Sequence, residues 1–163
     1  MRLTDYTDYS LRTLIFVAVH PDGLVTIQQV ADAFSIPKNH LIKIVQRLGQ
    51  AGFLHTVRGR AGGIRLGRPA AQIRIGDVIR ATEPDFGLVE CFQSGESACV
   101  ITQVCGLRGV LADALLAYFD VLDRYTLQDL VARPAPLVRL LSGAGVSVPL
   151  PARPARRMPG GEP

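Results

Sequence analysis

Residues 26–50 read TIQQVADAFSIPKNHLIKIVQRLGQ, and this stretch decides the fold. Ile27, Val30, Ala31 and Phe34 stand at i, i+3, i+4 and i+7, the spacing that gathers apolar side chains on one face of a helix. Thr26 and Gln29 match a capping box, in which each side chain satisfies a backbone donor of the other. The same spacing returns at Leu41, Ile44, Val45 and Leu48, after Pro37, a residue suited to a first helical turn because it has no amide hydrogen to leave unpaired. Gly49 and Gly52 supply the stop. Only Ser35, Ile36 and Pro37 separate the two stripes, so the spacing predicts a helix-turn-helix over about 28–51. The second stripe leaves Lys38, Asn39, His40, Lys43, Gln46, Arg47 and Gln50 off the buried face. These side chains can donate to phosphates and base edges, and a helix fits the major groove of B-DNA, which makes this the predicted recognition helix.

Upstream, Leu11, Leu14, Ile15 and Ala18 repeat the helical spacing once more. Downstream, residues 53–58 and 64–66 read as two short strands around the turn Gly59-Arg60-Ala61-Gly62-Gly63, a wing over about 53–66. The three glycines fit a turn that needs positive φ, and Arg58 and Arg60 flank it as groups suited to a narrow, electronegative minor groove. His40 and His55 read first as packing or hydrogen-bonding residues; neither is assigned to a metal, and His40 is kept as a DNA contact. Residues 72–81 read as a short strand running into a helix that carries Val78 and Ile79 and ends near Pro84.

Charge divides the chain in the same places. The whole carries +4, yet residues 38–80 hold nine basic groups against Asp77 alone, a net +8, between a segment of −2 at 1–37 and one of −6 at 81–132. A basic block inside folded sequence is the footprint of a polyanion-binding part or of a solvated face, and the helical pattern favours the first. Residues 133–163 hold five arginines, Glu162, seven prolines and four glycines, and read as a disordered tail apart from 137–141. The longest strongly apolar run, 14–19, is far too short to span a bilayer, and the acidic start lacks the features of a signal peptide, so a cytoplasmic protein without a membrane segment is expected.

Cys91, Cys99 and Cys105 cannot pair off completely and are separated by seven and five residues. Zinc sites use tighter pairs, and the spacing by itself leaves a metal centre and three unrelated thiols both open. Cys105 stands just before a long helix, whose positive N-terminal end favours an anionic cluster. A nucleophilic cysteine enzyme needs an oriented base, and no histidine lies in the cysteine segment, so an enzyme is not expected. Leu107, Leu111, Ala114, Tyr118, Val121 and Tyr125 form a heptad seam, the mark of a dimerisation helix, though such a helix can also pack back on its own domain. Asp113, Asp120 and Asp123 lie outside that seam, and residues 126–130 predict one more short helix. The predicted fold is mainly α with a small β-wing: a winged helix-turn-helix domain at 1–82, a cysteine loop at 83–106, a dimerisation helix and short helix at 107–132, and the tail.

These residues resemble a known family, the iron-sulfur winged-helix transcriptional regulators, over about 1–141. The resemblance rests on Leu3-Thr4, Thr7-Asp8-Tyr9, Leu11-Arg12, Lys38-Asn39-His40, Lys43-Ile44, Val57-Arg58-Gly59-Arg60, residues 62–67, residues 73–78 and the three cysteines. It implies that Cys91, Cys99 and Cys105 bind a [2Fe-2S] or [4Fe-4S] cluster with a fourth, non-cysteine ligand. In the cluster-assembly regulators of the family a histidine lies three residues after the last cysteine; here that position is Arg108. Some nitric-oxide-sensitive members use an acidic residue from the first helix of the partner subunit, which corresponds to Asp8; the alternative for Asp8 is a charge that favours the helix dipole. The resemblance therefore implies a homodimeric repressor on a two-fold symmetric double-stranded operator, released by nitric oxide and controlling nitrosative-stress protection, or else an iron-sulfur or redox-status regulator of the cluster-assembly type.

Overall fold

A computed structural model of the chain describes residues 2–92 and 99–143. Helix α1 (Asp5–Ala18) is capped by Thr4, whose Oγ1 accepts from the Thr7 amide at 3.3 Å, and has Asp5 and Asp8 in its first turn, where the helix dipole favours acids. Helix α2 (Ile27–Phe34) opens on the expected capping box: the Thr26 amide donates to Gln29 Oε1 at 2.8 Å and Thr26 Oγ1 accepts from the Gln29 amide at 3.2 Å. Ser35 ends it in the left-handed region (φ 53°, ψ 40°), a conformation that costs a residue with a Cβ about 1 kcal/mol or more. Ser35→Gly is accordingly expected to raise stability by up to about 1 kcal/mol. A shift of the urea midpoint downward would contradict this.

Helix α3 (Lys38–Gln50) starts one residue after Pro37, which is its N-cap and not a first-turn residue. Its C-terminus closes through Gly52 (φ 73°), with the Gly52 amide donating to Gly49 O and the Phe53 amide to Leu48 O, while Gly49 itself stays helical. Leu41, Ile44, Val45 and Leu48 are all buried, with Leu14, Val30 and Ile64 in the same core.

Strands β1 (Leu54–Val57) and β2 (Gly63–Leu66) pair antiparallel in the register Leu54 with Leu66 and Val57 with Gly63. Val25 adds a bridge to Ile64, binding the hairpin to the core. The expectation of positive φ for the turn glycines holds only at Gly59 (φ 114°). Gly62 and Gly63 are required for room instead: a Cβ on Gly62 would strike Val57 O and Gly59 O, and one on Gly63 would lie 2.8 Å from Val25 O.

The short strand expected before the next helix is not formed. A 3-10 turn at Ala70–Gln72 and a single bridge from Arg74 to Thr126 stand in its place, before α4 (Ile75–Thr82), which buries Val78 and Ile79. A long helix, α5 (Gly106–Leu122), has no fully buried residue. It turns into α6 (Leu127–Leu130), whose Leu127 is inserted into the core with no exposed surface. Residues 137–141, set apart from the disordered tail in the sequence, form α7 (Pro134–Leu141) together with 134–136, which were expected to be disordered, with proline at its start and Leu141 packed on the core. The rest of the expected tail, 144–163, and residues 93–98 of the cysteine loop lie outside the described residues. No helix among the described residues is long and apolar enough to cross a membrane.

Candidate nucleic-acid interface and metal centre

On α3 the buried stripe leaves Lys38, Asn39, His40, Lys43, Gln46 and Arg47 exposed, so the local pattern alone presents one face to solvent. Lys38 sits at the positive end of the helix dipole and the first turn holds no acid, an arrangement that is unfavourable until an anion arrives. Ile42, which the sequence reading leaves unassigned, is 47% exposed beside them and offers an apolar contact of the kind a thymine methyl makes. Its signal was an apolar residue off the helical stripe. Arg47 differs from its neighbours: its Nε donates to Ala81 O at 2.9 Å, and the Tyr6 hydroxyl donates to Lys43 O at 3.2 Å, so α1 and α4 hold the recognition helix at its flank. Burial pushes the Tyr6 phenol above its ordinary pKa, against the lowering effect of the Arg47 charge. Arg58 and Arg60 are exposed at the wing tip, and neither forms an ion pair among the described residues.

Cys91 lies in a 3-10 turn (Glu90–Phe92), and Cys105 is the N-cap of α5. Both line one cavity of about 660 Å³, together with Thr102, Gln103, Arg108 and Gly109. Cys99 is exposed; its carbonyl accepts from the Thr102 amide at 3.2 Å and the Thr102 hydroxyl at 2.7 Å, and it does not line the cavity. Among the described residues no three His, Cys, Asp or Glu side chains are brought together as a ligand set. The donors suit an iron-sulfur cluster in kind, because two thiols share a cavity whose wall includes a guanidinium and the positive end of a helix. Asp8 does not line that cavity. It is held by Arg12 on its own helix, accepting from Nε at 3.1 Å and lying 2.7 Å from a terminal nitrogen, with both side chains partly exposed.

A third cluster escaped the sequence reading. Arg80 of α4 grips Asp123, just past α5, through two parallel bonds of 2.8 and 2.7 Å, and its guanidinium lies 4.2 Å from the centroid of the Phe119 ring. The Arg80 bond and charge hold the Asp123 carboxyl below its ordinary pKa, so the pair stays ionised through the neutral range. Only tertiary contact joins these residues, which are 43 positions apart.

The family model of Rrf2, an iron-dependent transcriptional regulator, matches residues 3–133. The chain is 56% identical over 142 residues to the HTH-type transcriptional regulator NsrR of Bacillus subtilis, covering 86% of this chain and 97% of that protein. NsrR of Bacillus licheniformis is 53% identical over 143 residues, covering 87% of this chain and all of that protein. The fold matches the oxidized form of Staphylococcus aureus CymR with a TM-score of 0.64 at 28% identity, over 80% of this chain and 95% of that one. The basic recognition helix, the arginine-tipped wing and the thiol-lined cavity at the head of a long helix are thus found in a chain that belongs to the Rrf2 family of transcriptional regulators.

Proposed function

We propose that the protein is a homodimeric, DNA-binding repressor that senses nitric oxide through an iron-sulfur cluster and controls nitrosative-stress protection genes. The observation that carries this reading is the 56% identity to Bacillus subtilis NsrR over 97% of its length, which belongs with the motif resemblance to the nitric-oxide-sensitive branch. Arg108, in place of the histidine of the cluster-assembly pattern, favours the same branch.

Cys91, Cys99 and Cys105 would hold the cluster, with Asp8 of the partner subunit as the fourth ligand once Arg12 releases it. When bound, the cluster supplies iron that nitric oxide can attack. The remaining steps belong to the chain. Helix α5 leaves Leu107 (61%), Val110 (65%) and Leu116 (65%) exposed, and the turn after it Tyr125 (51%), far more apolar surface than a solvated helix retains, and a second copy covers it. Of the predicted seam, Leu111 and Tyr118 are partly covered within the chain, while Leu107, Val121 and Tyr125 are available to the second copy. Lys38, Asn39, His40, Lys43 and Gln46 then enter successive major grooves, Arg47 steadies the helix from its flank, and Arg58 and Arg60 reach the flanking minor groove.

Anaerobic isolation with iron and sulfide analysis, followed by a nitric-oxide titration of operator binding, tests the reading. Release of DNA at near-stoichiometric nitric oxide is expected; unchanged affinity overturns it. For the wing, Arg60→Ala is expected to weaken operator binding and to reduce the slope of log K against log salt by about 1. An unaltered slope and affinity would remove the wing tip from the interface.

A further inference from the structure

Helix α5 has no fully buried residue, and its C-terminal end is fastened to the DNA-binding domain. The fastened end is built from several independent contacts within a few residues. The Ile75 amide donates to Tyr125 O at 3.0 Å and the Leu127 amide to Ile73 O at 2.8 Å, and Arg74 bridges Thr126. Leu127 is fully buried, so the turn after α5 is plugged into the DNA-binding domain and has little slack. Above this plug, Arg80 forks onto Asp123 and stacks on Phe119, and Phe119 meets Phe86 edge to face at 4.8 Å. Phe86 stands in the segment that leads to Cys91, so the same cluster touches α4, α5 and the approach to the cysteines.

The side chains of the Arg80 pair are 41% and 32% exposed, where an ion pair of ordinary geometry contributes little to folding, and what sets this pair apart is its two-bond geometry. Direction is what a two-bond guanidinium-carboxylate contact supplies, since a planar fork accepts only a narrow range of approach angles, whereas a lysine at the same place keeps the charge and loses the angle. Gly76 argues the same way. It stands in the first turn of α4, where glycine is a poorer helix former than alanine, and a Cβ there would overlap Asp123 Oδ1 and lie 3.0 Å from an Arg80 nitrogen. The helix carries a weak residue at the one place where the carboxylate must approach its backbone.

We infer that Arg80, Asp123 and Gly76 form an angular joint that sets the direction of the dimer helix relative to the recognition helix, and thereby which separation of two DNA half-sites the protein accepts. The inference rests on the proposed dimeric operator reading. Its scale follows from the lever: α5 has 17 residues, about 25 Å of helix, so a tilt of about 10° at the joint displaces the far end by about 4 Å. One base-pair step is about 3.4 Å. A joint that discriminates neighbouring spacings must therefore hold its angle to within about 10°, which one bidentate pair braced by an aromatic ring can do and a single flexible charge pair cannot. Asp77, 3.6 Å from Arg80, adds a second acid on the same side without competing for the fork.

The test uses full-length, cluster-loaded protein and duplexes selected with the wild type: a single half-site, the paired half-sites at their selected separation, and the pair with that separation changed by one base pair either way. Asp123→Asn, Arg80→Lys and Gly76→Ala are each expected to leave single-half-site affinity within about twofold of wild type. The preference for the selected separation is expected to fall by about tenfold, the scale of one poorly met base pair. Variants that keep the wild-type spacing preference overturn the inference. So do variants that lose single-site and paired-site affinity in equal proportion with a lowered thermal midpoint, because that is the signature of a merely structural contact. If Gly76→Ala does not fold, Arg80→Lys and Asp123→Asn still decide the matter. A wild type indifferent to spacing overturns the dimeric reading itself, and the joint with it, and is told apart because it is seen before any substitution is made.

Discussion

Cys105→Ser is expected to strip iron from anaerobically isolated protein while leaving α5 intact. The residue is the N-cap of that helix, and the cysteine side chain makes no capping hydrogen bond there. Serine is among the preferred N-caps, so the substitution strengthens the helix start, if it changes it at all, while removing the thiol. Structure and chemistry are thereby separated in one variant. The expected result is iron and sulfide reduced to background, unchanged helical circular dichroism, and operator affinity lowered toward the non-specific level, a drop on the order of 10³-fold. Wild-type iron content in Cys105→Ser would remove Cys105 from the ligand set. Cys91→Ala serves as the companion, because Cys91 lines the same cavity.

The second large effect lies in the core. Leu41→Ala is expected to cost about 2–5 kcal/mol, the usual range for a leucine truncated in a close-packed interior. Leu41 has no exposed surface and belongs to the core cluster that includes Leu14, Val30, Ile44 and Leu48. A domain of this kind has about 5–15 kcal/mol in total, so one methyl-lined hole beneath the recognition helix removes a large share of it. Operator binding falls with the folded fraction, and the loss is read from the urea midpoint with an unchanged slope. A cost below about 1 kcal/mol would mean that α3 is not seated on this residue.

The recognition unit was legible because its determinants are local. Helical spacing, the Thr26 and Gln29 box and the three-residue connection all act within a few positions, and each stands where its pattern placed it. Helix α1 was only half legible. The stripe of Leu11, Leu14, Ile15 and Ala18 marks a helix, but the face that is buried carries Thr7, Ser10 and Thr13 together with Leu14, Phe16 and Val17. Polarity hid those hydroxyls. They tolerate burial because Ser10 and Thr13 donate to the carbonyls of Tyr6 and Tyr9 at 2.7 Å, and Thr7 donates to Thr82 Oγ1 at 2.9 Å. The glycines were legible as a turn and illegible as to cause, since only the folded wing brings Val57 O and Val25 O against Gly62 and Gly63.

From the sequence by itself came the helix-turn-helix, the Thr26–Gln29 capping box, the basic face and the three thiols, since these depend on residue type and short spacing. Tertiary structure alone decided that Arg47 steadies the recognition helix instead of standing clear of it, that Cys91 and Cys105 share a cavity, and that Arg80 meets Asp123 above Gly76. Each of those facts joins residues too far apart in the chain for any periodicity to register, and the Arg80–Asp123 pair forms where Leu127 is buried in the core and the end of α5 is fastened.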